Sequence, residues 1–314
     1  VALDHYVSQV HLKNFYAPAL GQRMYAMKKT DLKRYTCDAY SQCRIDEGST
    51  NPYLQEPRVI EEFLRDVEPC YNAALEKARA GALDPAAIFA IAGFAAYVQA
   101  CSPAGMRIHT GPLQETLELT AEMLDERGIF PPSPAALGGK TMTQLLRDKD
   151  VIFDVDPKYP QPMGISNILR STSLWGNSYW DIIVNEDPAN PFFTSDYPLA
   201  IEPGQRAGII KRILPLAPDL AIRILPDLEQ RGNQDLSFSN LRIRRINARR
   251  QDVADVNRRI VQCAESVVYF SKDLSWIPGF VEKHRRFRIK PQTLRLPEGN
   301  GTLLLSTLRI AETG

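Results

Sequence analysis

The chain has 314 residues, a formal net charge of +1, 44% hydrophobic and 24% charged residues, which are the proportions of a globular protein with a sizeable core. Its most apolar stretch, Ala86 to Ala100, contains Gly93 and Gln99 and falls short of the ~18 residues of a membrane helix, which excludes that class. Asp4 and His5 stand where a signal peptide would need an apolar segment, and the five scattered cysteines make no CxxC pair, so the expectation is a cytoplasmic protein with free thiols.

The first sixteen residues fit a short strand or a helix, and residues 17–55 read as irregular structure with short strands. A helix is expected from Pro57 to Gly81, because Ile60, Phe63, Leu64, Val67 and Tyr71 share one face, with a kink or break at Pro69. Gly81 is its C-cap candidate. Asp84 caps a second helix that reaches Ala100 and ends at Ser102–Gly105. A third runs from Pro112 to Arg127, a breaker-rich loop follows at 130–139, and a short helix covers Thr141–Lys149. Strands are expected at 151–155, 180–184 and 191–201, with a helix at 165–174 and a hairpin of 209–217 with 220–226 about Pro218-Asp219. A long helix spans Asp252–Tyr269, and the tail supplies a last strand. Helices early and strands late point to one α+β domain over 1–314. A mainly helical part (5–150) packs with a mostly antiparallel sheet from the strand-rich, basic part (151–314).

The small net charge conceals an asymmetry. Residues 1–204 hold 18 Lys and Arg against 26 Asp and Glu, whereas residues 205–314 hold 20 against 11. Two clusters dominate, LRIRRINARR at 241–250 and EKHRRFRIK at 282–290. Arg244, Arg245, Arg249, Arg250, Arg285 and Arg286 are thus candidate phosphate-binding residues. No dinucleotide fingerprint, phosphate loop, H-E-x-x-H or G-x-S-x-G is present, so no nucleotide cofactor is indicated. Glu61 and Glu68 lie two helical turns apart, and Asp196 sits in TSDYP at a strand exit. With His5 they form a donor set suited to Mg²⁺ or Mn²⁺, which prefer oxygen ligands. An Asx-turn is the structural alternative for Asp196.

Several of these residues belong to a pattern. His5-Tyr6-Val7, Gln9 and Leu12-Lys13-Asn14-Phe15 resemble the HYVPQ-x-x-L-R-N-F opening of the bacterial family known as domain of unknown function 4238. Glu61 with Glu68, the segment Gln99 to Arg107, PFFTSDYPLAI, and Asn247 with Val256-Asn257 resemble its later blocks, in order. Ser8 replaces a Pro of that pattern, Tyr197 an Asn, Ser102 a Thr, and Cys101 an Arg. The last change removes a cation from the third block, where Gln99 and Arg107 remain candidate binding residues. The resemblance implies a scaffold and no activity.

Two functional readings follow. One is a binding or sensor module that recognises nucleic acid or an acidic partner through the basic C-terminal part, without a membrane. The alternative is a metal-dependent hydrolase, most plausibly a nuclease. There Asp196 with Glu61 or Glu68 holds the metal, and His5 acts as base, oriented by Gln9 and Asn14.

Overall fold

The computed structural model describes residues 3–204, 209–227, 234–299 and 301–313. In chain order, strand β1 (Leu3–His5) enters helix α1 (Gln9–Lys13), followed by β2 (Met24–Lys28), β3 (Arg34–Cys37) and β4 (Arg44–Asp46). Helices α2 (Ile60–Ala80), α3 (Pro85–Cys101), α4 (Pro103–Glu126), α5 (Met142–Asp148), α6 (Gln161–Ser166) and α7 (Ile168–Gly176) form the next stretch. Then come β5 (Tyr179–Val184), β6 (Thr194–Ser195), β7 (Ala200–Pro203), β8 (Ile210–Ala217), β9 (Leu220–Leu225) and β10 (Arg242–Asn247). Helix α8 (Arg250–Cys263), β11 (Val267–Phe270), α9 (Ile277–His284), β12 (Phe287–Glu298) and β13 (Gly301–Glu312) complete the chain. This is an α+β fold with mostly antiparallel sheets.

Helix α3 is apolar all round, so it can only lie inside, and it packs against α2, α4, α6 and α7. Its Ile91, Phe94 and Val98 are fully buried, each worth roughly 1.5–3 kcal/mol of transfer free energy. Helix α2 is amphipathic and turns Val67, Tyr71, Leu75 and Ala78 inward. Five strands pair in the order β10-β5-β9-β8-β7, with β10 parallel to β5 and the rest antiparallel. A second sheet, β3-β2-β11-β6, joins two N-terminal strands to two late ones. One buried apolar cluster runs from Val7 to Ile289, through both parts of the chain. Four cysteines are buried and free as expected, while Cys70 is exposed.

Four expectations are corrected. Pro69 does not break α2 into two helices; it lies on the exposed face of one helix, where a missing N–H leaves a carbonyl that water can reach. The second helix ends at Ser102 as expected, but the third starts there at once rather than at Pro112. Ser102 closes α3, and its Oγ accepts from Gly105 N at 3.0 Å, so α4 begins at Pro103. Residues 151–155 form no strand, and Ile152 is 67% exposed. The helix expected to reach Tyr269 stops at Cys263. The β-branched Val267 and Val268 then enter β11, between β2 and β6.

Candidate functional site

Two of the sequence blocks, the opening segment and the paired glutamates, meet at one cavity. Strand β1 brings His5, the first turn of α1 brings Gln9, and the outer face of α2 brings Glu61 and Glu68. With Asp4 and Ser49 they line an open, polar space of about 420 Å³. Arg58 braces it, donating to Asp4 at 3.1 Å and to Glu61 at 2.5 Å. Ser8 Oγ donates to Glu68 at 2.5 Å, and the Tyr97 hydroxyl donates to the His5 carbonyl. His5 Nε2 lies 3.0 Å from the Tyr40 carbonyl. Burial, with Arg44 nearby, holds the imidazole below its ordinary pKa and so favours its neutral form.

Asp196 and Asn14 do not line this cavity. Asn14 closes α1 and donates to Val10 O and Asn72 Oδ1, tying α1 to α2. Asp196 is buried and accepts from three successive backbone N–H groups, those of Glu265, Ser266 and Val267, at 2.9, 2.7 and 3.1 Å. That is not the Asx-turn its local sequence suggests. Its own turn is held instead by Ser195 Oγ, which accepts from Tyr197 N at 3.1 Å. Among the described residues no three His, Cys, Asp or Glu side chains are grouped as a metal ion requires. The expected set of Asp196, Glu61 and Glu68 is therefore divided between a structural cap and a cavity wall.

The arginines of the two basic clusters differ in what they do. Arg244 grips Asp181 with Nε and Nη2 at 2.8 and 3.0 Å, in a charge ladder that continues through Arg223 and Glu202 to Lys211 across the five-stranded sheet. Arg245 donates to the Arg79 carbonyl at 2.6 Å. Arg249 pairs with Asp252 while 85% of its side chain stays exposed, and Arg250 is exposed beside it. Arg107 forks onto Glu265 at 2.9 and 2.7 Å, and Gln99 accepts from Arg212 at 3.3 Å.

The second cluster builds a cavity of its own. Lys29, Arg285, Arg286 and Arg288 line about 250 Å³ together with Glu265, the one carboxylate among the described residues of its wall, which Arg107 already occupies. Arg285 is fixed by the carbonyls of Lys29 and Thr30, at 2.9 and 2.5 Å. The Nε atoms of Arg285 and Arg288 are buried without a hydrogen-bond partner. Lys29 Nζ donates to the carbonyls of Ala264 and Phe287, and burial lowers its pKa to about 8. Sequence reasoning singled out Arg285 and Arg286 and missed Lys29. It lies more than 250 residues from Arg285 and meets it only because β2 pairs with β11.

The model of the family described as a protein of unknown function (DUF4238) matches residues 4–273. The chain belongs to this family. No curated protein and no solved structure matches it. The DUF4238 match takes in the polar cavity, the Asp196 cap and the first basic cluster. It ends before Arg285, Arg286 and Arg288, so the basic cavity joins Lys29 and Glu265 of the matched region to residues beyond it.

Proposed function

We propose that this DUF4238 chain is a binding module that recognises the phosphates of a nucleic acid through the basic face of its C-terminal part. The observation that carries the reading is the cavity at Lys29, Arg285, Arg286 and Arg288. Four cationic side chains converge there, and the sole carboxylate among the described residues of the wall is already paired elsewhere. Like charges held together lower one another's hydration and invite an anion. Arginine forks match phosphate oxygens in geometry as well as charge. Arg249 and Arg250, exposed at the start of α8, offer further contacts, whereas Arg244 is committed to the sheet.

Fluorescence anisotropy with labelled RNA and DNA, single- and double-stranded, tests this, with polyglutamate as the acidic-protein comparison. Binding to a nucleic acid that weakens when Arg286→Gln and Arg288→Gln are combined supports the reading. Polyglutamate bound more tightly than any nucleic acid, or binding indifferent to these changes, opposes it.

One observation favours the hydrolase as a second reading: His5, Gln9, Glu61 and Glu68 do share an open cavity. A neutral imidazole beside two carboxylates is suited to general-base work, and the oxygens suit a divalent cation. Mg²⁺- or Mn²⁺-dependent cleavage of RNA or DNA, lost in Glu68→Gln with the melting temperature unchanged, would favour it over the binding module.

A further inference from the structure

A different pocket carries an unpaired buried charge. Between α3, α4 and α6 lies a cavity of about 440 Å³ walled by Ala96, Ala100, Pro112, Leu113 and Met163. It adjoins a second, of about 360 Å³, walled by Ile108, Trp175, Ile210, Ile224 and Leu308. Gln99, His109 and Pro112 line both, so the two adjoin at that point. Pockets of this size with apolar walls and few polar groups take small molecules.

The polar group is Arg212, on β8, which lines the second cavity beside Tyr197. Its Nη2 reaches Gln99 Oε1 at a long 3.3 Å. Its Nε and Nη1 atoms are buried and have no hydrogen-bond partner, which leaves three N–H donors unused. No Asp or Glu is among the described residues of either wall. An arginine stays charged in any protein environment, and a buried charge without a counter-ion is expensive. The other arginines tied to this sheet show the usual solution: Arg244 forks onto Asp181, and Arg79 forks onto Asp219.

We propose that these adjoining cavities form a binding site for a small monocarboxylate with an apolar body, whose carboxylate neutralises the Arg212 guanidinium. A single negative charge fits, because Arg212 is the one Lys or Arg on either described wall. His109, the remaining titratable group shared by the two cavities, is held below its ordinary pKa by burial and by Arg212, and so adds no second positive charge. The apolar body lies along Pro112, Trp175 and Ile224, and Gln99 keeps the guanidinium turned toward the junction. The site is separate from the basic cavity at Arg285 and does not depend on nucleic-acid binding.

The test is calorimetric titration and thermal shift with decanoate, 1-decanol and monodecyl phosphate, on the parent, Arg212→Met and Leu308→Trp. The parent is expected to bind decanoate one to one, with a raised melting temperature and at least about tenfold more tightly than decanol, since charge-assisted bonds are the stronger kind. Arg212→Met is expected to melt no lower than the ligand-free parent, because it removes an unneutralised charge, and to lose that preference for the acid. Leu308→Trp fills part of the second cavity while Arg212 is kept, and should weaken decanoate too. The proposal is overturned if decanol binds as well as decanoate, or if none of the three probes binds. Tighter binding of monodecyl phosphate, or decanoate binding retained in both variants, overturns it equally.

Discussion

Asp196 stood out in the sequence as a carboxylate at a strand exit. In the structure it is a cap, one buried side chain that satisfies three consecutive N–H groups at the turn into β11. Its partners lie 69 to 71 residues away, so no local pattern could have shown them. Asp196→Ala leaves those donors unsatisfied, at roughly 1–3 kcal/mol for each buried group, not fully additive. Urea denaturation should therefore show a loss of about 2–5 kcal/mol; a change under ~0.5 kcal/mol would contradict the cap. Burial raises the Asp196 pKa from 3.8 to about 6, against the opposing pull of the three N–H groups and Lys29. The folded state thus holds the proton more tightly, and this group's contribution to stability falls as pH rises from about 4 to about 6. His11, which sequence reasoning passed over, works in the opposite sense. It is fully buried between Tyr71 and Thr194, both at 2.8 Å, and burial lowers its pKa from 6.5 to about 3. Below pH 6.5 the unfolded chain takes up a proton that the folded state refuses, so stability is lost as pH falls toward 3. The stability difference between parent and His11→Leu should shrink on acidification from pH 7 to 4.5, by on the order of 1 kcal/mol per pH unit. A difference that is constant with pH would mean that His11 protonates freely in the fold.

Elements were legible where a local rule decided them. Asp84 caps α3 by accepting from Ala87 N at 2.9 Å, Gly81 ends α2 in the left-handed region at φ 70°, and Thr141 with Gln144 forms a capping box. They were misread where a neighbour decided. VIFDV has the composition of a strand but forms none, while Val267–Phe270 continues a helical spacing yet is claimed by the edges of β2 and β6. The junction of α3 and α4 is a sharper case, because small residues there permit a close turn directly into α4. A Cβ on Gly105 would lie 2.0 Å from the Gln99 carbonyl oxygen, a backbone atom that cannot swing aside. Gly105→Ala should cost about 3 kcal/mol or more, beyond ordinary overpacking, and Ser102→Ala about 1 kcal/mol through the lost cap. Equal melting temperatures for Gly105→Ala and Ser102→Ala would show that the two helices are free to move apart. The same junction holds Gln99 against Arg212, so Gly105→Ala is also expected to disturb the apolar cavities.

At the scale of the whole molecule, the charge asymmetry read from composition divides into two populations. Some basic residues are committed to partners within the chain: Arg244 and Arg223 in the sheet ladder, and Arg285 on backbone carbonyls. Others, Arg249, Arg250 and Arg286, face outward. Sequence alone counted them together, because a guanidinium paired across a sheet and one facing solvent are the same letter. Of the residues grouped from the sequence, His5, Gln9, Glu61 and Glu68 line one cavity. Asp196 was grouped with them only by residue type. Neutralising Arg244 would remove the bidentate partner of the buried Asp181 and leave it only the longer contact to Arg223, so a test of binding must use Arg286 and Arg288 instead. The most direct measurement is the slope of log K against log salt for the bound nucleic acid, in the parent and in the Arg286→Gln/Arg288→Gln double variant. Each cation on a phosphate contributes close to one unit of slope. The account predicts a steep negative slope in the parent that becomes shallower by about two units in the variant. A parent whose affinity does not change with salt, or a variant with the parent's slope, would contradict it.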